Sequence, residues 1–235
     1  MKDHTTMSLI IILLGCGMVG ATYLHFKNKN NVAVDSVTPL DNLPEIAKNM
    51  KLAKGCPVPI SGLVYLKLRY WGFDNKEHIG GLIVNKELGQ DVLDIFKELF
   101  NSKFPIEQMR PIYEFNYNDD ESMEANNTSA FNCREVTGQP GIFSQHSYGR
   151  AIDINPQINP YVKNNIVLPE NGRSHVDRNN PEKGKITPQS HIYKLFTERG
   201  WDWGGNWHDL QDLQHFEKRA NGEKREPNGY SFKKP

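Results

Sequence analysis

The sequence has no excess of charge of either sign. Lys and Arg together number 28, as do Asp and Glu, so the formal net charge at pH 7 is zero. A protein that neutralises a phosphate backbone needs a surplus of basic side chains. The balanced charge therefore argues against nucleic acid as a partner. Aromatic residues make up 10% of the chain, which argues against disorder over most of its length.

Cysteine is scarce. The three cysteines are Cys16, Cys56 and Cys133, and no two have the C-x-x-C spacing typical of a cysteine zinc site or a thioredoxin-like motif. Cys16 lies within an apolar run, which leaves Cys56 and Cys133 as a possible disulfide if the body of the protein is exported. Two buried free thiols are an equal alternative, because a sequence does not supply the geometry of the pair.

The chain has one long apolar run, residues 7–26, which is uncharged and has the length needed to span a bilayer as a helix. We interpret residues 1–26 as an uncleaved membrane anchor, residues 27–50 as a polar linker, and residues 51–235 as one folded domain with a loose tail from about residue 220. Two alternatives stay open: a bacterial lipoprotein with its lipid on Cys16, or a cleaved secretory signal. All three direct the chain to the membrane.

The folded domain mixes strands and helices without the rhythm of a βαβ protein. This pattern predicts an α+β fold, with a small mixed or antiparallel sheet and flanking helices in a single domain behind the N-terminal membrane helix. Apolar periodicity and turn residues predict strands at 62–73, 80–84, 111–117 and 150–155, helices at 90–100 and from Thr187–Pro188 to Gly200, a polar loop at 119–127 and a long surface loop at 156–185.

One segment that contains candidate metal-binding residues is SQHSYGRAID, residues 144–153. His146 lies just before a predicted strand and Asp153 lies inside it, so the two side chains converge if the turn between them is tight. Gly149 permits such a turn. Ser144 is placed to hydrogen-bond the loop or the second imidazole nitrogen of His146.

A second such segment is WDWGGNWHDLQDLQHFE, residues 201–217. Asp212 and His215 are three positions apart and face opposite ways on a straight strand, so a bend must bring both to one site. Two histidines and an aspartate leave the fourth position of a zinc ion open for water, and a free carboxylate beside it can take the proton of that water. By spacing alone, however, a buried hydrogen-bonded histidine is the commoner explanation.

Taken together, S-x-H-x-x-G-x-A-x-D and, about 60 residues later, W-G-G…D-x-x-H-F-E resemble the D-alanyl-D-alanine carboxypeptidase/VanY-type zinc peptidases (peptidase family M15). That family also includes phage L-alanyl-D-glutamate endopeptidases. The resemblance covers roughly residues 56–217. It implies one Zn²⁺ per chain held by His146, Asp153 and His215, with Asp212 as the general base.

Other side chains are weaker candidates. The resemblance extends to FNCR and implies that Arg134 binds a substrate carboxylate or stabilises the oxyanion; a fold-stabilising arginine is the alternative. Ser144 and Tyr148, close to the histidine loop, are candidate substrate contacts. Glu217 alternates with His215 along a probable strand, so it either points into the site or packs at a strand edge.

The resemblance implies hydrolysis of peptidoglycan stem peptides in the bacterial cell envelope, with the catalytic domain in the periplasm or outside the cell. A D-alanyl-D-alanine carboxypeptidase is the first expectation and an L-alanyl-D-glutamate endopeptidase the second. A non-catalytic module that binds the cell wall is third, because the carboxylate of Asp212 is present.

Overall fold

The computed structural model describes residues 32–50, 52, 55–136 and 139–226. The predicted membrane anchor, including Cys16, lies outside these residues. Within the part of the chain that is described, no helix combines the length and the apolar character needed to cross a bilayer.

The described residues form a mixed α+β fold with short strands and few helices, which confirms the predicted class. The helices are α1 (Pro44–Asn49), α2 (Gly89–Asn101), α3 (Asp119–Glu124) and α4 (His191–Thr197). The strands are β1 (Ser36–Pro39), β2 (Leu63–Trp71), β3 (Glu77–Asn85), β4 (Gln108–Met109), β5 (Asn127–Thr128), β6 (Glu135–Val136), β7 (Gln139–Phe143), β8 (Ala151–Asp153), β9 (Tyr161–Lys163), β10 (Ile166–Leu168), β11 (Asp202–Trp203), β12 (Gln211–Asp212) and β13 (His215–Glu217).

The strands make several small sheets rather than one. Three antiparallel sheets have the orders β1-β2-β3, β10-β9-β12 and β11-β13-β8. Two further pairs are the parallel β4–β5 and the antiparallel β6–β7. The alternation that predicts a strand before residue 73 is confirmed by β2, whose alternate residues are buried. The short strand predicted at 80–84 is longer in the structure, because β3 pairs with β2 over its full length.

The larger of two apolar clusters joins α2 to the sheet that carries the candidate site. Val92, Ile95 and Phe96 of α2 are buried at helical spacing against β2 and β3. Each such side chain contributes about 1.5–3 kcal/mol when it leaves water. The same core includes Phe216 of β13, whose ring stacks on Phe196 of α4 with the ring centroids 4.1 Å apart. The site strands therefore pack on the same apolar core as α2 and α4.

A disulfide joins Cys56 to Cys133, with the Cα atoms 5.9 Å apart. Both residues pack against a second apolar cluster that contains Leu40, Leu63 and Phe131. Of the two alternatives that the sequence left open for these cysteines, the paired one is therefore present.

Part of the predicted linker belongs to the folded body. Residues 36–39 form β1 and pair with β2, and Leu40 and Leu43 are buried. The strand is too short for periodicity to reveal it, and its pairing with β2 is a long-range contact. In the predicted loose tail, residues 220–224 are exposed, whereas Arg225 is buried and pairs with Asp209.

Two predictions between residues 111 and 127 are wrong. The predicted strand at 111–117 is a 3-10 turn over Ile112–Phe115, ended by Asn116 in the left-handed region at φ 52°. The predicted polar loop contains α3. Asn118 caps this helix, its side chain accepting a hydrogen bond from Glu121 N, and three acidic residues in the first turn favour the helix dipole.

The predicted surface loop at 156–185 holds the β9–β10 hairpin and a 3-10 segment over Glu170–His175. Asn159 of this segment is fully buried. Its side-chain amide donates to the carbonyls of Ile154 and Gly184, and these hydrogen bonds offset the cost of burying a polar group. The next helix begins at His191 rather than at Thr187–Pro188, since the Ser190 hydroxyl accepts from Tyr193 N as the cap.

Candidate metal centre

His146 lies on a 3-10 turn over Gln145–Tyr148 that enters β8. Ser144 caps this turn, its hydroxyl accepting from His146 N at 3.3 Å. Gly149 ends it at φ +65°, where a Cβ atom would lie 2.5 Å from Asn85 N, so only glycine fits. Of the two contacts predicted for Ser144, the structure contains the one to the loop.

The ring of His146 is fixed by a backbone oxygen instead. Its Nδ1 lies 2.5 Å from the carbonyl oxygen of Ala130. A carbonyl only accepts hydrogen bonds, so Nδ1 carries the proton and the Nε2 lone pair is free to bind a metal. The Ala130 carbonyl has no side-chain signal in the sequence, and for that reason the sequence did not predict it.

Asp153 and His215 face each other across two antiparallel strands. They are directly paired in the register of β8 and β13, so both side chains point to the same face. The next pair in this register, Ile152 and Phe216, points to the opposite face and is fully buried in the core. The antiparallel pairing thus separates a polar face from an apolar one.

The three predicted ligands meet within metal-binding distance. His146 Nε2 lies 3.0 Å from Asp153 Oδ2 and 3.2 Å from His215 Nδ1, and His215 Nδ1 lies 3.0 Å from Asp153 Oδ1. Donor atoms around a tetrahedral zinc, at about 2.0–2.1 Å from the metal, lie roughly 3.3 Å apart. All three residues are buried. The arrangement has the donor types and the spacing of a site for a zinc-like cation with one position open.

The cluster changes the acidity of its own carboxylate. Burial by itself raises the pKa of Asp153, but the two histidines next to it more than offset this effect and hold the pKa below its ordinary value. Asp153 is therefore ionised at neutral pH, as a metal ligand must be.

Asp212 approaches the same point from a different sheet. It ends β12, and a turn through Leu213 and Gln214 separates it from His215. This turn supplies the change of direction that the spacing of the two residues requires. Gly204 lets Asp212 sit close, because a Cβ atom at position 204 would be 2.5 Å from the Asp212 carbonyl oxygen.

The Asp212 carboxylate differs from that of Asp153 in its partners. Its Oδ1 atom is buried and accepts no hydrogen bond from the described residues. Burial raises its pKa to about 6; the charge of Asp153 adds to the rise, and His215 opposes it. An unpartnered buried carboxylate oxygen is costly unless it has a functional partner.

A cleft opens from this cluster to solvent. Arg134 and Ser144 line the cleft, whereas Tyr148 does not. Tyr148 packs instead against the apolar cluster around Leu63 and Phe131, away from the cleft lining. The structure therefore gives no support to its predicted substrate contact.

Both the backbone and the side chain of Arg134 have partners within the fold. Its backbone N–H donates to the buried Ser147 hydroxyl at 2.8 Å. Its Nε lies 3.0 Å from Asp119 Oδ2, an ion pair with the first residue of α3. The side chain is about a quarter exposed, at 28%, so it reaches both Asp119 and the open cleft. Its predicted role with substrate stays a prediction.

Three residues that the sequence did not single out line the cleft, together with Trp207, for which the second motif allowed either a cleft or a core position. Tyr161, Lys163 and Leu168 come from the β9–β10 hairpin, within the predicted loop. The ring centroid of Trp207 lies 5.4 Å from that of His215. The guanidinium of Arg225 lies over the Trp207 ring, 4.3 Å from its centroid. No periodic pattern marks these residues, because long-range packing brings them together.

Glu217 lines the cleft and contacts the ring nitrogen of His215 that does not face Asp153. Its Oε2 is 3.1 Å from His215 Nε2, and its Oε1 accepts from Arg219 Nε at 2.6 Å. Only 3% of the residue is exposed. Of the two explanations that the sequence offered, the carboxylate points toward the histidine and does not merely pack at an edge.

Residues 137–218 match a protein-family model described as D-alanyl-D-alanine carboxypeptidase. This segment is about a third of the chain and contains His146, Asp153, His215 and Asp212, while Arg134 lies just before it. No curated protein and no solved structure matches the chain. The match supports the family resemblance of the two motifs and indicates a peptidase.

Proposed function

We propose that this chain, whose residues 137–218 match the D-alanyl-D-alanine carboxypeptidase model, is an M15 peptidase that hydrolyses peptidoglycan stem peptides in a zinc-dependent reaction. The observation that carries the proposal is one arrangement. Two histidines and Asp153 present free donor atoms at one point, and the unpartnered Oδ1 of Asp212 is buried in the wall of the same cleft.

The donor set fits zinc well. Neutral imidazole and carboxylate are ligands that zinc accepts, and three protein ligands are typical of a catalytic rather than a structural site. The hydrogen bond to the Ala130 carbonyl leaves the His146 Nε2 lone pair available. A bound zinc ion would act as a Lewis acid toward the scissile carbonyl and would lower the pKa of water.

Asp212 suits the role of general base better than Glu217. Both carboxylate oxygens of Glu217 are engaged, one with His215 and the other with Arg219. Asp212 has an unengaged buried oxygen and a pKa raised to about 6, close to the working pH of a base. We propose that Asp212 takes a proton from the attacking water and returns it to the leaving amine.

Arg134 supports a substrate with a free carboxylate. A guanidinium binds carboxylate in a bidentate, planar geometry, and Arg134 lines the cleft with its backbone fixed by Ser147. A stem peptide that ends in D-alanyl-D-alanine presents such a carboxylate one residue beyond the scissile bond. Removal of the terminal D-alanine is therefore the activity that we propose.

Digestion of purified muropeptides by the full chain, followed by mass spectrometry of the products, tests this activity. We expect pentapeptide stems to lose the terminal D-alanine, and an Asp94→Asn variant, altered on the exposed face of α2, to do the same. Cleavage between L-alanine and D-glutamate would instead identify an endopeptidase. Stems that stay intact would contradict hydrolysis altogether.

We further propose that the domain works outside the cytoplasm, tethered by residues 7–26 in the bacterial envelope. The Cys56–Cys133 disulfide supports an oxidising compartment. A topology reporter fused after Pro235 is expected to be active only on the periplasmic or exterior side. A reporter that is active in the cytoplasm would contradict this location.

A further inference from the structure

The ends of β8 and β13 pair two short motifs, A-x-D and H-x-E, residue against residue. His215 lies opposite Asp153, and Glu217 lies opposite Ala151. Since side chains two apart on a strand share a face, His215 and Glu217 point the same way. Ala151 is the smallest side chain available at that position and leaves room on this face for the Glu217 carboxylate.

Glu217 is almost completely buried, although it carries a charge. Burying an isolated carboxylate costs several kcal/mol, so its retention requires close partners. One partner is Arg219, whose Nε donates to Oε1 at 2.6 Å. The other is the nitrogen of His215 that faces away from the proposed metal position, at 3.1 Å from Oε2.

The contact between Glu217 and His215 bears on which ring nitrogen of His215 carries the proton. The Glu217 carboxylate, which is paired with Arg219, accepts hydrogen bonds and therefore favours a proton on His215 Nε2. In the neutral imidazole that binds a metal, the lone pair is then on Nδ1, the atom that lies 3.0 Å from Asp153 and 3.2 Å from His146 Nε2. His146 has the same arrangement with its nitrogens exchanged, because the Ala130 carbonyl holds Nδ1–H. Each histidine thus has its own hydrogen-bond acceptor on the side away from the cluster.

We propose that Glu217 is a positioning residue for the metal: it fixes the tautomer and the ring plane of His215 and increases the electron density at Nδ1. The inference rests on the proposed zinc dependence. Arg219 completes the chain by holding the carboxylate in place. Acceptors behind metal-bound histidines have this effect in zinc proteins, and their removal costs about 10–100-fold in metal affinity.

The test measures zinc affinity directly, by competition between the full-length protein and a chromophoric chelator. Glu217→Ala removes the acceptor and is expected to weaken zinc binding by up to about 100-fold. Glu217→Gln keeps an amide oxygen that accepts from Nε2–H but loses the charge, so we expect a smaller loss, about tenfold. Glu223→Gln, an exposed glutamate six residues further along, is the matched control and should bind zinc like the wild type.

Absorption spectra of the cobalt-substituted proteins add a second readout. We expect the cobalt bands of Glu217→Gln to shift relative to the wild type, because the donor strength of His215 changes; a purely structural role would leave them in place. Wild-type zinc affinity and cobalt spectra in both Glu217 variants would overturn the inference while leaving the proposed function intact. A wild-type chain that binds no zinc would overturn both. If Glu217→Ala does not fold, Glu217→Gln alone decides.

Discussion

Replacing Asp212 with Asn is expected to reduce stem-peptide hydrolysis by at least about 10²-fold, the scale of a lost general base. The amide is nearly the same size as the carboxylate but cannot take up a proton. A larger fall is compatible with the proposal, because the same group also delivers a proton to the leaving amine.

The zinc content and the folded structure of this variant should be those of the wild type. Asp212 is not among the three donors of the cluster, and its buried Oδ1 atom accepts no hydrogen bond from the described residues that an amide would break. Turnover and bound zinc are measured on the same preparation. An Asp94→Asn variant, altered on the exposed face of α2, is the matched control and should retain full activity.

Hydrolysis at the wild-type rate by Asp212→Asn would remove Asp212 from the mechanism. Glu217 is the other carboxylate close to His215, but its two oxygens are already engaged. The loss of Asp212 as base would therefore call the whole proton-transfer scheme into question, and would not simply transfer the role to Glu217.

Replacing His146 or His215 with Ala is expected to abolish both zinc binding and hydrolysis. Each removes one of three protein ligands, and no other His, Cys, Asp or Glu in the described residues joins the cluster to replace it. Elemental analysis of the purified variants gives the metal content. A His191→Ala variant, altered at the exposed start of α4, controls for the loss of an imidazole elsewhere and should bind one zinc.

Stoichiometric zinc in either His146→Ala or His215→Ala would contradict the ligand assignment. Folding of each variant is followed separately by circular dichroism, so that a loss of zinc is not confused with a loss of structure. Both side chains are buried, and their rings pack edge to face with the centroids 5.0 Å apart, so some destabilisation of each variant is expected.

The sequence predicted the local parts of the fold well, because periodicity and turn residues determine them. The burial pattern of β2 and of α2 follows the alternation and the helical spacing of their apolar residues. The turn from His146 into β8 was predictable because Gly149 permits it. These features depend on neighbours in the sequence, and a single sequence contains that information.

The missed elements have a different physical origin. Asn159 and Arg178 are polar residues in the predicted surface loop, yet they fold it by donating to backbone carbonyls, Arg178 to those of Ile158, His175 and Ile186. The polar composition of the segment suggested that it is exposed to solvent. In the structure, these two side chains donate to backbone carbonyls that have no helix or sheet partner among the described residues. The start of α3 did carry a signal, the Asn118 cap followed by acidic residues, which polar composition obscured.

For the candidate site, the motifs predicted which side chains meet. They did not predict which other groups hydrogen-bond to these side chains or pack beside them. The Ala130 carbonyl is a backbone atom, and Arg225 reaches Trp207 from a segment that looked like a tail. The H-x-E alternation indicated that Glu217 shares a face with His215. Whether the carboxylate contacts the ring or solvent depends on the β8–β13 register, which places Ala151 opposite to it.

The most direct test of the central claim is the metal dependence of hydrolysis by the full-length protein. Stem-peptide turnover is measured after chelator treatment and during stepwise return of zinc. We predict that turnover falls to background without metal and recovers in proportion to bound zinc, with full recovery at one zinc per chain. Undiminished turnover by the metal-free protein would contradict the zinc site and the mechanism built on it.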